Sequence, residues 1–253
     1  SAASDVYKRQ MMIIGEVLES TDGLGVFVRP DSPIAQATGY NPSYPNVLGS
    51  PETVKGITML LPIGTAQHFT ALKWLEKLGL GITDVNIVNM DTAQAYQALQ
   101  AKQCDAVSLN VPTFFDAEND GMVQVGNLAD LGTRYVDMVV ANRKAVEGQP
   151  ELVQKYIDCI TEACAALNAD PDMAADLFVE YLKEAGAETT RENCVSDLSR
   201  VNFIEQKDWK ERSLGNFAKE LGEFYINLGQ LEPELIDKFE TNIDSEFVDT
   251  YKK

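Results

Sequence analysis

Residues 56–75 read Gly-Ile-Thr-Met-Leu-Leu-Pro-Ile-Gly-Thr-Ala-Gln-His-Phe-Thr-Ala-Leu-Lys-Trp-Leu, and this stretch decides the predicted fold. Its first half is a short apolar run typical of a buried strand, and its second half repeats apolar residues at helical spacing. Gly64 permits a sharp turn, and Thr65 is a favoured residue for the N-cap of a helix. The stretch therefore predicts a strand at 57–61 that turns directly into a helix at 66–78.

The alternation of strands and helices continues on both sides of this stretch. Further strands are predicted at 11–18, 24–28, 85–90, 106–109, 122–125 and 135–141. Asp91 caps a helix on which Ala93, Tyr96 and Leu99 face inward, and another short helix begins near Pro112. Strands that alternate with helices of this length form parallel sheets with helices on both faces. The predicted fold class is therefore α/β.

After residue 142 the pattern becomes helical and no further strand is predicted. The predicted helices are 150–167, 171–185, 207–228 and 232–241. In the first of these helices, the apolar periodicity favours a buried side that contains Leu152, Tyr156, Ile160 and Leu167. A helical tail of this length requires another part of the protein to pack against.

Composition excludes several classes of function. The chain has 253 residues and a formal net charge of −18, which argues against a nucleic-acid partner, because phosphate binding requires a basic surface. An acidic surface favours a soluble monomer. The sequence contains no run of 18 apolar residues that would predict a transmembrane helix. The four cysteines lack the spacing of a metal site, and no cofactor motif or catalytic triad spacing is visible.

Several segments are similar, in order, to one known family. They are Ser-Thr-Asp-Gly at 20–23, Val-Phe-Val-Arg-Pro-Asp-Ser-Pro-Ile at 26–34, Pro-Ile-Gly-Thr-Ala-Gln-His-Phe at 62–69, Cys-Asp-Ala-Val-Ser-Leu-Asn-Val-Pro at 104–112, Val-Val-Ala-Asn-Arg at 139–143 and Pro-Glu-Leu-Val at 150–153. Through these segments the chain resembles the type II solute-binding proteins of ABC importers, in the group that binds nitrate, sulfonate, taurine and pyrimidine precursors. The resemblance extends over residues 11–253.

The resemblance implies a two-lobed type II periplasmic-binding-protein fold. It places 11–31 and 143–253 in a first lobe whose beginning is missing, with the helical tail packed on it, and 32–142 in a whole second lobe. Residues 1–10 are expected to be a non-native or unstructured leader. The implied mechanism is binding without chemistry, in which two lobes close around a small-molecule solute and a membrane permease recognises the closed form.

Candidate ligand-binding residues on the second lobe lie at the ends of predicted strands. Gly64, Thr65 and His68 offer an amide, a hydroxyl and an imidazole to an oxyanion or carbonyl group. Asn110 and Pro112 follow the strand at 106–109 at its carboxyl end, where ligands of α/β sheets bind. The alternative is a plain capped helix in which His68 is a surface or cap-supporting residue, while Asn110 only satisfies the loop backbone.

On the first lobe, the resemblance implies ligand contacts from Ser20, Thr21, Asp22 and Gly23. A carboxylate from Asp22 in the site would favour a ligand that carries an amine or hydroxyl group. The alternative is a hairpin turn, because Asp-Gly between two apolar runs is a strong turn signal.

Three classes of function remain open from the sequence. The leading one is the substrate-binding component of an ABC importer, located in the periplasm or held at the cell surface as a lipoprotein. The second is an enzyme similar to the pyrimidine-precursor synthase of the same fold, although the cysteine-rich iron motif of that enzyme is absent. The third is a ligand-sensing effector domain of a transcription regulator. The leading class needs a permease as partner and no cofactor.

Overall fold

The computed structural model describes residues 11–186 and 189–252, without the side chains of 238 and 239. The predicted leader at 1–10 therefore lies outside the described residues. The chain divides into two compact units. Unit 1 contains residues 11–19, 136–174 and 201–252, and unit 2 contains residues 20–135, 175–186 and 189–200.

Strands and helices follow the predicted order over most of the described chain. The strands are β1 (Met11–Ser20), β2 (Leu24–Val28), β3 (Thr58–Leu61), β4 (Asn86–Asn89), β5 (Ala106–Asn110), β6 (Val123–Asn127), β7 (Tyr135–Asn142) and β8 (Val201–Phe203). The helices are α1 (Pro33–Gln36), α2 (Pro51–Val54), α3 (Ala66–Lys77), α4 (Thr92–Gln100), α5 (Thr113–Asn119), α6 (Arg143–Gly148), α7 (Pro150–Ala169), α8 (Pro171–Glu184), α9 (Arg191–Leu198), α10 (Asn216–Asn227), α11 (Ile236–Glu240) and α12 (Glu246–Asp249). Within the described ranges, none of these helices has both the length and the apolar character that a transmembrane span requires.

Unit 2 contains a five-stranded sheet in the order β4-β3-β5-β2-β6. Strand β3 is parallel to β4 and β5, whereas β2 is antiparallel to β5 and β6. The sheet is therefore mixed, which corrects the prediction of a wholly parallel sheet. The reason is that β2 follows β1, a strand of the other sheet, and so is not constrained by the helical crossover that makes consecutive strands of one sheet parallel.

The register of this sheet brings several loops to the same edge. Leu61 at the end of β3 pairs with Asn89 at the end of β4, and Leu24 at the start of β2 pairs with Asn110 at the end of β5. Because β2 runs in the opposite direction, its first residue lies beside the carboxyl ends of the parallel strands. The loop that precedes β2 therefore lies at the edge where ligands of α/β sheets bind.

Helices α4 and α5 cover one part of this sheet with a continuous apolar core. Tyr96 and Leu99 of α4 are buried as predicted, but Ala93 is exposed and Ala95 occupies the inner face instead. The core also contains Phe27, Leu60, Val107, Leu109, Phe114 and Phe115. On α3, the Trp74 indole is fully buried and its Nε1 donates a hydrogen bond to the Leu48 carbonyl oxygen across 2.9 Å.

Unit 1 contains a three-stranded sheet in the order β7-β1-β8 and the long helix α7. The predicted buried side of α7 is wrong, because Leu152 is 60% exposed and Tyr156 is 56% exposed. The buried residues of α7 are Val153, Ile157, Thr161 and Cys164. This face is rotated from the predicted one by about one residue, or roughly 100° around the helix axis.

The C-terminal region also differs from the sequence prediction. Strand β8 adds a short third strand to the sheet, where only helices were expected. The predicted helix at 207–228 is divided, because Gly215 adopts a φ of +84° and α10 begins only after it. A left-handed glycine at this point interrupts the helix that the apolar pattern alone predicts to be continuous.

The compact units and the predicted lobes have different boundaries. Residues 20–31, assigned from the sequence to the first lobe, supply β2 to the sheet of unit 2. The described residues of 175–200, also assigned to the first lobe, belong to unit 2 as well.

Candidate functional site

The turn between β3 and α3 lies at the sheet edge described above. Thr65 occupies the N-cap position in an extended conformation, but its hydroxyl donates a hydrogen bond to the Pro62 carbonyl oxygen across 2.6 Å. The helix consequently begins without a side-chain cap. Gly64 is exposed and has a φ of +81°, a conformation that glycine adopts readily. The Ile63 amide donates to Asn89 Oδ1 across 2.9 Å, which fixes the turn to the end of β4.

His68 lies beneath this turn rather than on the surface. Its side chain is 3% exposed, and its Nδ1 accepts a hydrogen bond from the Gly64 amide across 3.3 Å. Burial lowers the pKa of the imidazole, so the neutral form is favoured at pH 7. The imidazole, a candidate ligand contact from the sequence, is thus buried and supports the turn from inside.

Gln67 is a polar residue of this site that the sequence analysis did not select. It is 7% exposed, and its Nε2 donates hydrogen bonds to Asn110 Oδ1 across 2.9 Å and to Thr92 Oγ1 across 3.1 Å. Ser108 Oγ donates to the Gln67 carbonyl oxygen across 2.8 Å. The available signal was its position, since a long amide in the uncapped first turn of a helix is placed to reach neighbouring strand ends.

Asn110 and Pro112 lie where the sequence predicted, at the carboxyl end of a strand. Asn110 is the last residue of β5 and is half-buried. The peptide bond between Val111 and Pro112 is cis, and Pro112 is the N-cap residue of α5. The structure therefore brings Asn110 next to the turn of α3 through the side chain of Gln67.

The segment 20–23 connects two different sheets and is not the turn of a hairpin. Ser20 Oγ donates a hydrogen bond to the Asp22 carbonyl oxygen, and the Gly23 amide donates to Asp22 Oδ1 across 2.8 Å. The Thr21 amide donates to the Arg200 carbonyl oxygen across 3.2 Å. Since Leu24 pairs with Asn110, these four residues lie at the same sheet edge as the turn of α3.

Arg200 is a charged neighbour of this segment that the sequence analysis missed. Its Nη1 lies 3.7 Å from Asp22 Oδ2, and its guanidinium lies over the rings of Phe114 and Phe115 at 5.3 and 5.4 Å. Arg200 offsets part of the negative charge of Asp22, which weakens the argument for an amine ligand. No local sequence pattern indicates this contact, because about 180 residues separate its partners.

The Asp197 carboxyl lies near both Arg200 and Asp22. Burial raises the pKa of its carboxyl to about 6, against the lowering effect of Arg200, and Asp22 adds a smaller raising effect. Within the described ranges, no group of three or more His, Cys, Asp or Glu residues is arranged to hold a metal ion.

Two kinds of hydrogen-bond donor lie at this edge, although the Ile63 and Gly64 amides and the Thr65 hydroxyl already have acceptors within the protein. The uncapped start of α3 provides backbone N–H groups, and Asn110 provides a side-chain amide. Such a set can hold an oxygen atom that accepts several hydrogen bonds.

Residues 44–174 match the family model described as NMT1/THI5 like. The chain belongs to this family. A putative ABC transporter periplasmic binding protein of Brachyspira hyodysenteriae is 33% identical over 236 residues, which are 93% of this chain and 68% of that protein. A putative binding protein of Brucella abortus is 25% identical over 191 residues, or 73% of this chain and 59% of that protein. The chain thus spans between about three-fifths and two-thirds of the length of these curated relatives.

Solved structures show the same fold. The alkanesulfonate-binding protein SsuA from Xanthomonas axonopodis pv. citri, bound to MOPS, matches with a TM-score of 0.70 at 15% identity, over 96% of this chain and 76% of that one. The desulfurization enzyme DSZB matches with a TM-score of 0.64 at 16% identity, over 96% and 79% of the two chains. Since binding proteins and an enzyme share this α/β fold, the fold by itself does not distinguish between the two activities.

Proposed function

We propose that this chain is the substrate-binding component of an ABC importer and that it captures a small solute with an oxyanion head group, such as a sulfonate. The observation that carries the proposal is that 62–68, Asn110 and 20–23 meet at one sheet edge of unit 2, where α3 begins without a side-chain cap. Family membership and the names of the relatives support it.

The energetics of the site favour an anion only if several donors act together. A charge at a helix N-terminus gains about 0.3–1 kcal/mol when exposed and up to about 2 kcal/mol when partly buried. Hydrogen bonds to a charged group add about 1.5–3 kcal/mol each. The overall charge of −18 opposes an anion at long range, but salt screens this repulsion beyond about 8–10 Å. At the site itself, the donors at 62–68 and Asn110 then contribute more to the binding of an anion than the long-range repulsion opposes it.

In this proposal the two compact units act as the two lobes, with residues 20–31 and the described residues of 175–200 in the second lobe rather than in the first. The solute-loaded monomer delivers its cargo to a membrane permease without altering it chemically. The protein works outside the cytoplasmic membrane, either free in the periplasm or as a lipoprotein at the cell surface.

Calorimetric titration of the full chain with ethanesulfonate, taurine, nitrate, a substituted pyrimidine and choline tests this proposal. We expect saturable binding of at least one sulfonate and none of choline. Asn110→Leu should weaken that binding by about tenfold or more, since it removes a donor without changing the side-chain size greatly. Asn46→Leu, at an asparagine that pairs with Asp130, is the matched control and should bind normally. Binding of choline in preference to every anion would refute the proposal.

Turnover is measured separately, because an enzyme shares the fold. Each bound probe is released by denaturation after prolonged incubation and identified by mass spectrometry. Quantitative recovery of the unchanged probe supports a binding protein, whereas accumulation of a product contradicts it.

A further inference from the structure

The side chain of Gln67 is almost completely buried, and both N–H groups of its side-chain amide donate hydrogen bonds. One Nε2 proton is directed to Asn110 Oδ1 at 2.9 Å and the other to Thr92 Oγ1 at 3.1 Å. Burying an amide without partners is costly, so these two bonds account for a glutamine at a position that is 7% exposed. They also connect the first turn of α3 with the start of α4 and the end of β5.

These bonds determine which atoms Asn110 presents. A primary amide carries its acceptor oxygen and its donor nitrogen on opposite sides, so Oδ1 facing Gln67 turns Nδ2 away from it. Among the described residues, none accepts a hydrogen bond from Asn110 Nδ2. This nitrogen is also not one of the polar atoms that are buried without a partner.

We propose that Gln67 is a positioning residue that sets the specificity of the site. By holding Asn110 Oδ1, it fixes Nδ2 as a donor at the sheet edge, so the site accepts groups that only receive hydrogen bonds and disfavours groups that donate them. This inference rests on the proposed function, because it takes the turn of α3 and Asn110 as the place where the solute binds.

Two substitutions separate this role from simple packing. Gln67→Met keeps the length and approximate volume of the side chain but has no donor, so it releases Asn110. Gln67→Glu keeps the shape but can only accept, so Asn110 must turn its Nδ2 inward and present Oδ1 at the edge. Thr92→Val is the control, because it removes the other acceptor of Gln67 and leaves the bond to Asn110 intact.

The first measurement needs no ligand. Nuclear magnetic relaxation of the Asn110 side-chain ¹⁵N reports whether this amide is ordered in the free protein. We expect an ordered amide in the wild type, Thr92→Val and Gln67→Glu, and a mobile one in Gln67→Met. An equally ordered amide in Gln67→Met would overturn the proposal. Thermal melts of every variant confirm that each is folded at the temperature of measurement.

The second measurement is a double-substitution cycle with ethanesulfonate and nitrate as probes. Gln67→Met should weaken binding by about fivefold to tenfold, and Gln67→Glu by more, whereas Thr92→Val stays within about twofold of the wild type. In an Asn110→Ala background, Gln67→Met should have almost no additional effect, since it acts through Asn110. Additive losses in this cycle would show that Gln67 does not act through Asn110, and would also overturn the proposal.

The two measurements distinguish failure of this inference from failure of the proposed function. If the wild type binds none of the probes, the proposed function fails, and the relaxation experiment alone decides whether Gln67 orients Asn110. If the wild type binds a sulfonate but the cycle is additive, the proposed function stands and the role of Gln67 is rejected.

Discussion

The Nδ1 atom of His68 and the amide nitrogen of Gly64 are 3.3 Å apart and joined by a hydrogen bond that holds the turn at the start of α3. An imidazole accepts at Nδ1 only while that nitrogen is unprotonated. Because burial lowers the pKa of His68 below its usual 6.5, the folded state resists protonation. The geometry of the turn is therefore coupled to pH.

Acidification should destabilise the protein through His68. Below pH 6.5 the unfolded chain binds a proton that the folded chain does not, so the free energy of unfolding falls as the pH decreases through the folded-state pKa. His68→Gln removes this titration while keeping an acceptor. Urea unfolding of both chains between pH 7.5 and 5 should show a steeper acid loss in the wild type. If the free energy of unfolding fell equally with pH in the wild type and in His68→Gln, the prediction would be wrong.

Asp197 should act in the opposite direction. Its pKa is raised from 3.8 to about 6, so its contribution is fully present below pH 3.8 and is lost as the pH rises through about 6. Asp197→Asn should therefore be more stable than the wild type at pH 7, by at most about 3 kcal/mol, with the difference vanishing near pH 4. Chemical unfolding at both pH values measures it. The control Asp237→Asn, at an exposed site, should change stability by less than about 0.5 kcal/mol.

A buried ion pair in unit 1 should be essential for stability. Glu16 is 3% exposed, and its Oε2 accepts from Arg212 Nη2 across 3.0 Å, while the same Nη2 also reaches Glu19 Oε2 across 3.0 Å. Arg212→Met leaves a buried carboxylate without its cation and should cost about 3–5 kcal/mol. Lys219→Met breaks a solvent-exposed pair with Glu240 and should cost less than about 1 kcal/mol. Equal losses in the two variants, measured by denaturant unfolding, would contradict this ranking.

Two alanine substitutions, one on the buried face of α7 and one on the face predicted from the sequence, test the orientation of this helix. Ile157→Ala removes a side chain that is 1% exposed and should lower the free energy of unfolding by about 2–5 kcal/mol. Leu152→Ala, at a position that is 60% exposed, should change it by about 0.5 kcal/mol or less. If Leu152→Ala lowered the free energy of unfolding more than Ile157→Ala, the buried face of α7 would be the one predicted from the sequence.

The candidate site was only partly predictable. Gly64, Thr65 and Asn110 were selected because strand ends and helix starts are visible in a local pattern, and the structure places them at one sheet edge. The side chain of Gln67 and the guanidinium of Arg200 were missed. Their roles depend on partners 43 residues and about 180 residues away along the chain, and no local pattern indicates such partners.

The sequence by itself determined the order and approximate limits of most elements. The predicted helix at 66–78 is Ala66–Lys77, and the predicted strand at 106–109 is Ala106–Asn110, because turn residues and apolar periodicity act over a few neighbouring positions. Tertiary structure alone decided which of two adjacent apolar stripes on α7 is buried, and that β2 enters its sheet antiparallel. Both outcomes depend on which surfaces meet after the chain has folded, and periodicity gives equal weight to every apolar face.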